Sequence, residues 1–288
     1  MDETVVDVAF VLIGFALLMF GGEALVQGAT RISQSLSVSP LVVGFTVVAI
    51  GTSLPELAVA IEAIDSGVPN IAVGGVLGSN VANVMLVLGA AAVLGAKSEA
   101  EKGVNRDAMA VMVATLLMAI FVFFGEVPLL GGVVMLTCLI VYYYYTYTVA
   151  ISAEDEYEFE DSWLPNKLSL AIPFSFIGGG MIWFGAELLV SGSTGIAETF
   201  GVSEAVIGLT VVALGTSLPE LAVTIVAGIR GQGGVAVGNV LGSNVMNIMG
   251  IIGIASIVGS GIPVDVEFQR DIIVAVSYTH LTLPTNDR

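Results

Sequence analysis

The sequence predicts an all-α polytopic membrane protein made of two inverted-topology copies of one five-helix unit. Three observations predict it. Of the 288 residues, 56% are hydrophobic and 11% charged, less than half of the roughly one quarter charged that soluble domains carry. The apolar residues fall in runs close to the ~20 residues that cross a bilayer at a rise of about 1.5 Å each. Residues 43–56, VGFTVVAIGTSLPE, return at 207–220 as IGLTVVALGTSLPE, identical at eleven of fourteen positions with an offset of 164.

Taken in order, the first span covers residues 5–26. The segment before it, Met1-Asp2-Glu3, has neither the basic flank nor the small-residue cleavage site of a secretory signal, so this span is expected to stay in the mature chain. The second, 40–63, carries GTSLPE, and the third, 71–94, carries GGVLGSNVAN from Gly74. The fourth and fifth cover 108–124 and 127–149, and Tyr142 to Tyr145 close the fifth as an interfacial aromatic anchor. Residues 1–149 are the first copy. An acidic linker follows at 150–167, and its run from Glu154 to Asp161 holds much of the net charge of −17. It lacks EF-hand spacing and reads as a solvated loop.

The second copy, 168–275, repeats the first three spans at 168–190, 204–228 and 235–258, and a ninth span opens at Ile272. From Val276 the text VSYTHLTLPTNDR leaves both the repeat and the apolar pattern. It reads as translated sequencing-adapter DNA, so 276–288 is expected to be a non-native tail. The native protein is expected to continue for about one and a half further helices, leaving eight to nine helices here.

The offset of 164 also aligns GGVLGSNVAN with GNVLGSNVMN from Gly238, FGGE at 20–23 with FGAE at 184–187, and Arg106-Asp107 with Arg270-Asp271. Equivalent points lie five spans apart, an odd number, so the second copy crosses the membrane in the opposite sense. Inverted repeats place substrate near the bilayer midplane, where interrupted helices of the two copies meet. Arg31, Lys97, Lys102, Arg106, Lys167 and Arg230 share one side of this topology, against Arg270 on the other. The positive-inside bias then puts the N-terminus outside and the linker in the cytoplasm. The expected location is a prokaryotic inner membrane. Glu23 and Glu187 fall near opposite membrane edges, where a carboxylate is inexpensive, and are read as structural.

Composition excludes several classes. Eight Lys and Arg in 288 residues form no basic stripe for nucleic acid. Cys138 is the single cysteine, so no internal disulfide is available. No GxGD, HExxH or Ser/His pairing lies within a span, so no enzyme is predicted, nor any cofactor or obligate protein partner.

Glu56 and Glu220 lie deep inside their spans, where an ionised side chain costs about 2.5–3.5 kcal/mol or more. No Lys or Arg occupies a neighbouring span interior, which leaves a bound cation or proton as the compensating partner. Each glutamate follows a proline, and a proline in a helix cannot donate to the carbonyl four residues earlier, here Gly51 and Gly215. Thr52, Ser53, Thr216 and Ser217 stand beside the gap, with back-bonding to the preceding turn as their alternative use. On the next span of each copy, Ser79 and Asn83, and Ser243 and Asn247, are four apart and share a face. Asn80 and Asn244 lie off that face and are assigned to interhelical bonding. Glycines at 74, 75, 78, 238 and 242 permit the close helix approach that unites these faces. An all-oxygen cage with two carboxylates suits a hard cation: Ca2+ takes six to eight oxygens at about 2.3–2.6 Å, and Na+ can use the same hydroxyls and carbonyls.

On these doubled GTSLPE and GSNxxN motifs the chain resembles the sodium/calcium exchangers of the calcium/cation antiporter superfamily, in their compact prokaryotic form, up to about Val276. The resemblance implies ten helices in two inverted repeats, with the second, third, seventh and eighth building the ion sites. It implies ligands at Ala49, Thr52, Ser53, Glu56, Ser79 and Asn83, and at Ala213, Thr216, Ser217, Glu220, Ser243 and Asn247. It also implies exchange of Ca2+ for Na+ by alternating access as the first and sixth helices slide past the core. Many such exchangers carry aspartate where this chain has Asn247, so the number of coupled Na+ is left open. A Ca2+/H+ antiporter is the alternative reading, with a cation channel behind it.

Overall fold

The computed structural model describes residues 3–94, 103–152, 162–202 and 213–282. Its helices are α1 (Glu3–Leu36), α2 (Pro40–Thr52), α3 (Leu54–Asp65), α4 (Pro69–Val93), α5 (Val104–Phe124), α6 (Leu129–Ser152), α7 (Leu168–Thr199), α8 (Leu218–Ile229), α9 (Gly233–Val258) and α10 (Phe268–Thr282). Six of them are long and apolar enough to cross a membrane, and the bent pair α2–α3 makes a seventh span. The expected helix over 204–228 is met by α8 and by a short turn at Ala213–Gly215, while 203–212 and the acidic run 153–161 lie outside the described residues.

Backbone geometry recurs at the offset of 164. Ser37 and Gly201 take φ of 54° and 73°, and Gly67 and Gly231 both take 73°. Each ends a helix with a left-handed residue, a reversal that lets the chain turn back within a few residues.

The long helices α1 and α7 pack antiparallel through glycines spaced by seven: Gly14, Gly21 and Gly28 on one, Gly178, Gly185 and Gly192 on the other. Spacing by seven keeps small residues on one seam, and in lipid such residues let helices approach to backbone contact. A Cβ on Gly14 would stand 2.6 Å from the Gly185 carbonyl oxygen, and one on Gly185 would stand 2.9 Å from that of Gly14. Both helices outrun the expected spans, α1 by ten residues and α7 by nine. In α1 the extra polar residues are internally bonded. Gln27 Nε2 donates to Glu23 at 3.0 Å, Thr30 to Gln232 at 3.0 Å and Ser33 to the Val38 carbonyl at 2.5 Å.

The end of the linker docks on α1. Arg31 donates to the carbonyls of Leu164 and Ser162, each at 2.5 Å. Glu23 accepts from Trp163 Nε1 at 3.0 Å and pairs with Arg230 at 2.9 Å, joining α1, the linker and the end of α8.

At the core stands α9, whose most apolar stretch is 89% buried, against 50% for its counterpart α4. A two-stranded ladder, Glu126–Val127 with Ile262–Pro263, ties the α5–α6 turn to the chain after α9. Two residues per strand give no alternation to read, so nothing in the sequence announced it. The aromatic anchor is divided. Tyr144 and Tyr145 are 70% and 50% exposed, but Tyr142 packs edge-on to Phe45 and donates to Asp107 at 2.7 Å. The ninth span begins earlier than Ile272, at Phe268, and its backbone stays helical past Val276 to Thr282.

Candidate functional site

The second span bends by 43° between α2 and α3. Pro55 removes the donor that would close the turn on Gly51, and Ser53 sits outside helical geometry at φ −87°, ψ 2°. Before Pro219, Ser217 repeats this at φ −92°, ψ 1°. New helices therefore start inside the apolar layer. Glu56 and Glu220 occupy their first turns, where the exposed N–H end of a helix favours an anion.

Glu56 is 5% exposed and Glu220 0%. Neither has a basic partner among the described residues, whose ion pairs are Arg106–Asp107 and Arg230–Glu23.

The facing spans bring the other predicted oxygens. Ser79, Asn83, Ser243 and Asn247 are all buried. Asn83 and Asn247 each fall in a π-helical turn, Asn83–Val87 and Met246–Ile252. The extra residue per turn is a distortion found mostly where function requires it. The Asn83 turn packs on α8, which carries Glu220, and the Asn247 turn packs on α3, which carries Glu56.

Bonds then cross between the copies. Asn247 Nδ2 donates to Ser79 Oγ at 3.1 Å, and Asn80 Nδ2 donates to the Asn244 carbonyl at 3.1 Å. The hydroxyls of Thr52 and Ser243 meet at 3.2 Å. Glu56 and Thr216 line one cavity, which shares Val59 and Ile71 with a groove of about 460 Å3 beside Glu62 and Ser66.

Hydrogen-bond accounting does not set the predicted ligands apart from Asn80 and Asn244: the Asn244 side chain, expected to bond between helices, has no partner, nor has Asn80 Oδ1. Ser53 Oγ, Ser217 Oγ, both oxygens of Glu56 and of Glu220, both amide atoms of Asn83 and Oδ1 of Asn247 are buried without a partner. An unmet buried polar atom costs about 1–3 kcal/mol, so this many in one place is expensive unless something else satisfies them. A hard cation satisfies oxygens of this kind, and no thiol or imidazole is among them to favour a soft metal. Thr52 and Ser79 do touch their i−3 carbonyls, at 3.3 and 3.2 Å. The Ala49 carbonyl already accepts from Ser53 N at 3.0 Å and lies 3.3 Å from Thr52 Oγ1. Ala213 opens its short turn.

The glycine expectation holds for the second copy. Gly242 lies against the Phe45 carbonyl and the Ala49 side chain, and Gly238 against the Leu41 carbonyl. Gly75 and Gly78 are exposed instead.

Two polar residues at the site escaped the sequence reading, Asn239 and Thr224, both 0% exposed. Asn239 accepts from Thr52 at 3.1 Å. Its signal was a mismatch inside the repeated decapeptide, where GGVLGSNVAN becomes GNVLGSNVMN and Gly75 is replaced by Asn239.

Comparison with known proteins shows the family and the fold. The family model described as sodium/calcium exchanger protein matches residues 6–148 and 170–285, one segment in each copy, the second running past Val276. Sodium/calcium exchanger MaX1 of Methanosarcina acetivorans is 31% identical over 290 residues, covering 88% of this chain and 83% of its own. Inner membrane protein YrbG of Escherichia coli (strain K12) is 31% identical over 273 residues, covering 91% and 83%. A solved structure of the sodium-calcium exchanger NCX_Mj superposes with a TM-score of 0.82 at 31% identity, covering 96% of this chain and 89% of that one.

Proposed function

The chain belongs to the sodium/calcium exchanger family and is an integral membrane cation antiporter, and from that premise we propose that Glu56 and Glu220 are the two carboxylates of one shared Ca2+ and Na+ site. Thr52, Ser53, Ser79 and Asn83 from the first copy, with Thr216, Ser217, Ser243 and Asn247 from the second, supply its further oxygens, and Ala49 and Ala213 border it. The observation that carries this reading is the set of buried, unpartnered oxygens contributed by both copies.

The copies are residues 1–149 and 168–275, joined by the linker 150–167, with 276–288 as a tail foreign to the repeat. The chain sits in a prokaryotic inner membrane with its N-terminus outside. In that orientation the groove beside Glu62 and Ser66, at the far end of α3, opens outward, and a cavity of about 20 Å3, room for a single water, lies between it and Glu56. The equivalent inner half, around Val223, Val235 and Asn239, is closed, each residue being 0% exposed. This difference between equivalent halves is what alternating access requires of one end state.

The test is 45Ca2+ uptake into vesicles holding the reconstituted protein. Uptake should follow an outward Na+ gradient and stop when internal Na+ is replaced by choline. Uptake indifferent to Na+ and driven by a pH gradient would transfer the reading to Ca2+/H+ antiport.

A further inference from the structure

The side chain of Asn239 can adopt one orientation only. It lies 3.3 Å from the Glu220 carbonyl and 3.4 Å from Thr224 Oγ1 on one end, and 3.1 Å from Thr52 Oγ1 on the other. A backbone carbonyl only accepts, so the amide NH2 faces Glu220 and the amide oxygen faces Thr52. That oxygen needs a donor, and Thr52 has a single hydroxyl proton.

Three acceptors lie within its reach: the Ala49 carbonyl at 3.3 Å already takes the Ser53 N–H and Ser243 Oγ at 3.2 Å carries a proton of its own, which leaves Asn239 Oδ1 at 3.1 Å as the one that needs it. Asn239 links Thr52 to the turn that carries Glu220, and neither Glu220 carboxylate oxygen receives a hydrogen bond. With its proton turned to Asn239, Thr52 presents lone pairs instead of a donor to whatever occupies the site.

The first copy has no such arrangement. The offset of 164 sets Gly75 against Asn239 and Ala60 against Thr224. These residues give Thr216 no acceptor and the Glu56 carbonyl no donor, so the Thr216 proton is free to compete for Glu56.

We propose that Asn239 is a positioning residue of the antiporter, which withdraws the Thr52 proton from Glu220 and makes the Thr52–Glu220 half of the site the one prearranged for a cation. The Thr216–Glu56 half is the looser one. The proposal rests on the ion-site assignment above.

The test measures the Ca2+ dependence of 45Ca2+ uptake by reconstituted N239A, T52A and the double variant. N239A should raise half-saturating Ca2+ by about tenfold, the scale of one lost hydrogen bond to a site group, with the maximal rate kept within about threefold. In the T52A background the same substitution should add less than about twofold, because nothing remains to be positioned. An N239A protein that folds with unchanged Ca2+ dependence overturns the proposal. So does an equal effect in both backgrounds, which is what simple packing between α8 and α9 would give.

If N239A does not fold, the reciprocal transplant decides. A60T/G75N gives Thr216 an acceptor at an exposed glycine and should lower half-saturating Ca2+ by about threefold; unchanged dependence overturns the proposal. E220Q separates the two failures. If it transports, the ion-site reading falls, whereas if it is inactive while N239A shifts nothing, only the role of Asn239 falls.

Discussion

Gly21 of α1 and Gly178 of α7 meet backbone to backbone. A Cβ on Gly21 would stand 2.8 Å from the Gly178 carbonyl oxygen, and one on Gly178 would stand 2.7 Å from the carbonyl oxygen of Gly21. Between lipid-embedded helices there is little hydrophobic force, so this proximity and the dispersion contacts it allows hold the pair together. Gly21→Leu or Gly185→Leu is expected to force the helices apart and destabilise the protein by about 1–3 kcal/mol, the usual cost of overpacking. A lowered thermal midpoint in detergent, with Gly180→Leu as control on the exposed side of α7, checks it. Equal midpoints for all three variants would remove the glycine seam from the account.

Glu56→Gln and Glu220→Gln are expected to abolish exchange while the protein still inserts. Each replaces a buried, partnerless carboxylate with a neutral amide of the same shape. Without divalent cation or Na+, both variants should therefore melt at the same temperature as the parent or higher, since a neutral amide avoids the cost of burying a carboxylate without a partner. Added Ca2+ should raise the midpoint of the parent alone, because a ligand that binds only the folded state stabilises it. Ca2+-dependent stabilisation of either variant would count against the assignment.

These two glutamates were readable in the sequence because lipid makes a charge conspicuous, and the duplicated prolines and hydroxyls told what surrounds it. Asn239 was not readable in the same way. Its role depends on which end of an amide faces Thr52, a contact between residues 187 apart, and only the Gly75 mismatch marked the place. The helices α1 and α7 run longer than their apolar stretches for a different reason. Gln27, Thr30, Arg31 and Ser33 look like loop residues by polarity, but their partners on the linker, on α1 itself and near α9 let the helix continue. Tyr142 likewise looks interfacial beside its neighbours in sequence, but Phe45 and Asp107 decide its setting.

The contact of Trp163 with Glu23 gives an optical handle on the linker. Trp163 Nε1 donates to Glu23, and its ring stands edge-on to Phe174 at 5.6 Å. In a Trp183→Phe background, Glu23→Ala is expected to release the indole and shift its emission to longer wavelength. Stability should fall by less than about 1 kcal/mol, because Arg230 in the accompanying ion pair is 52% exposed and screened by water. An unshifted spectrum would place the linker's hold on α1 elsewhere, on Arg31.

Charge counting makes the final prediction. With Asn83 and Asn247 neutral, the site holds two carboxylates, and a buried site is least costly when its ions cancel its charge. One Ca2+ or two Na+ cancel two carboxylates, so exchange is expected at two Na+ per Ca2+ without net charge movement. In vesicles clamped with K+ and valinomycin, 45Ca2+ uptake should then be insensitive to membrane potential. Asn247→Asp converts an unpartnered Oδ1 into part of a third carboxylate and removes the bond from Asn247 Nδ2 to Ser79. Three Na+ then match the site better than two, and one Ca2+ leaves it negative, so uptake by this variant should become potential-dependent. Strong potential dependence in the parent would contradict the two-charge account and require a further titrating or ion-binding group at the site.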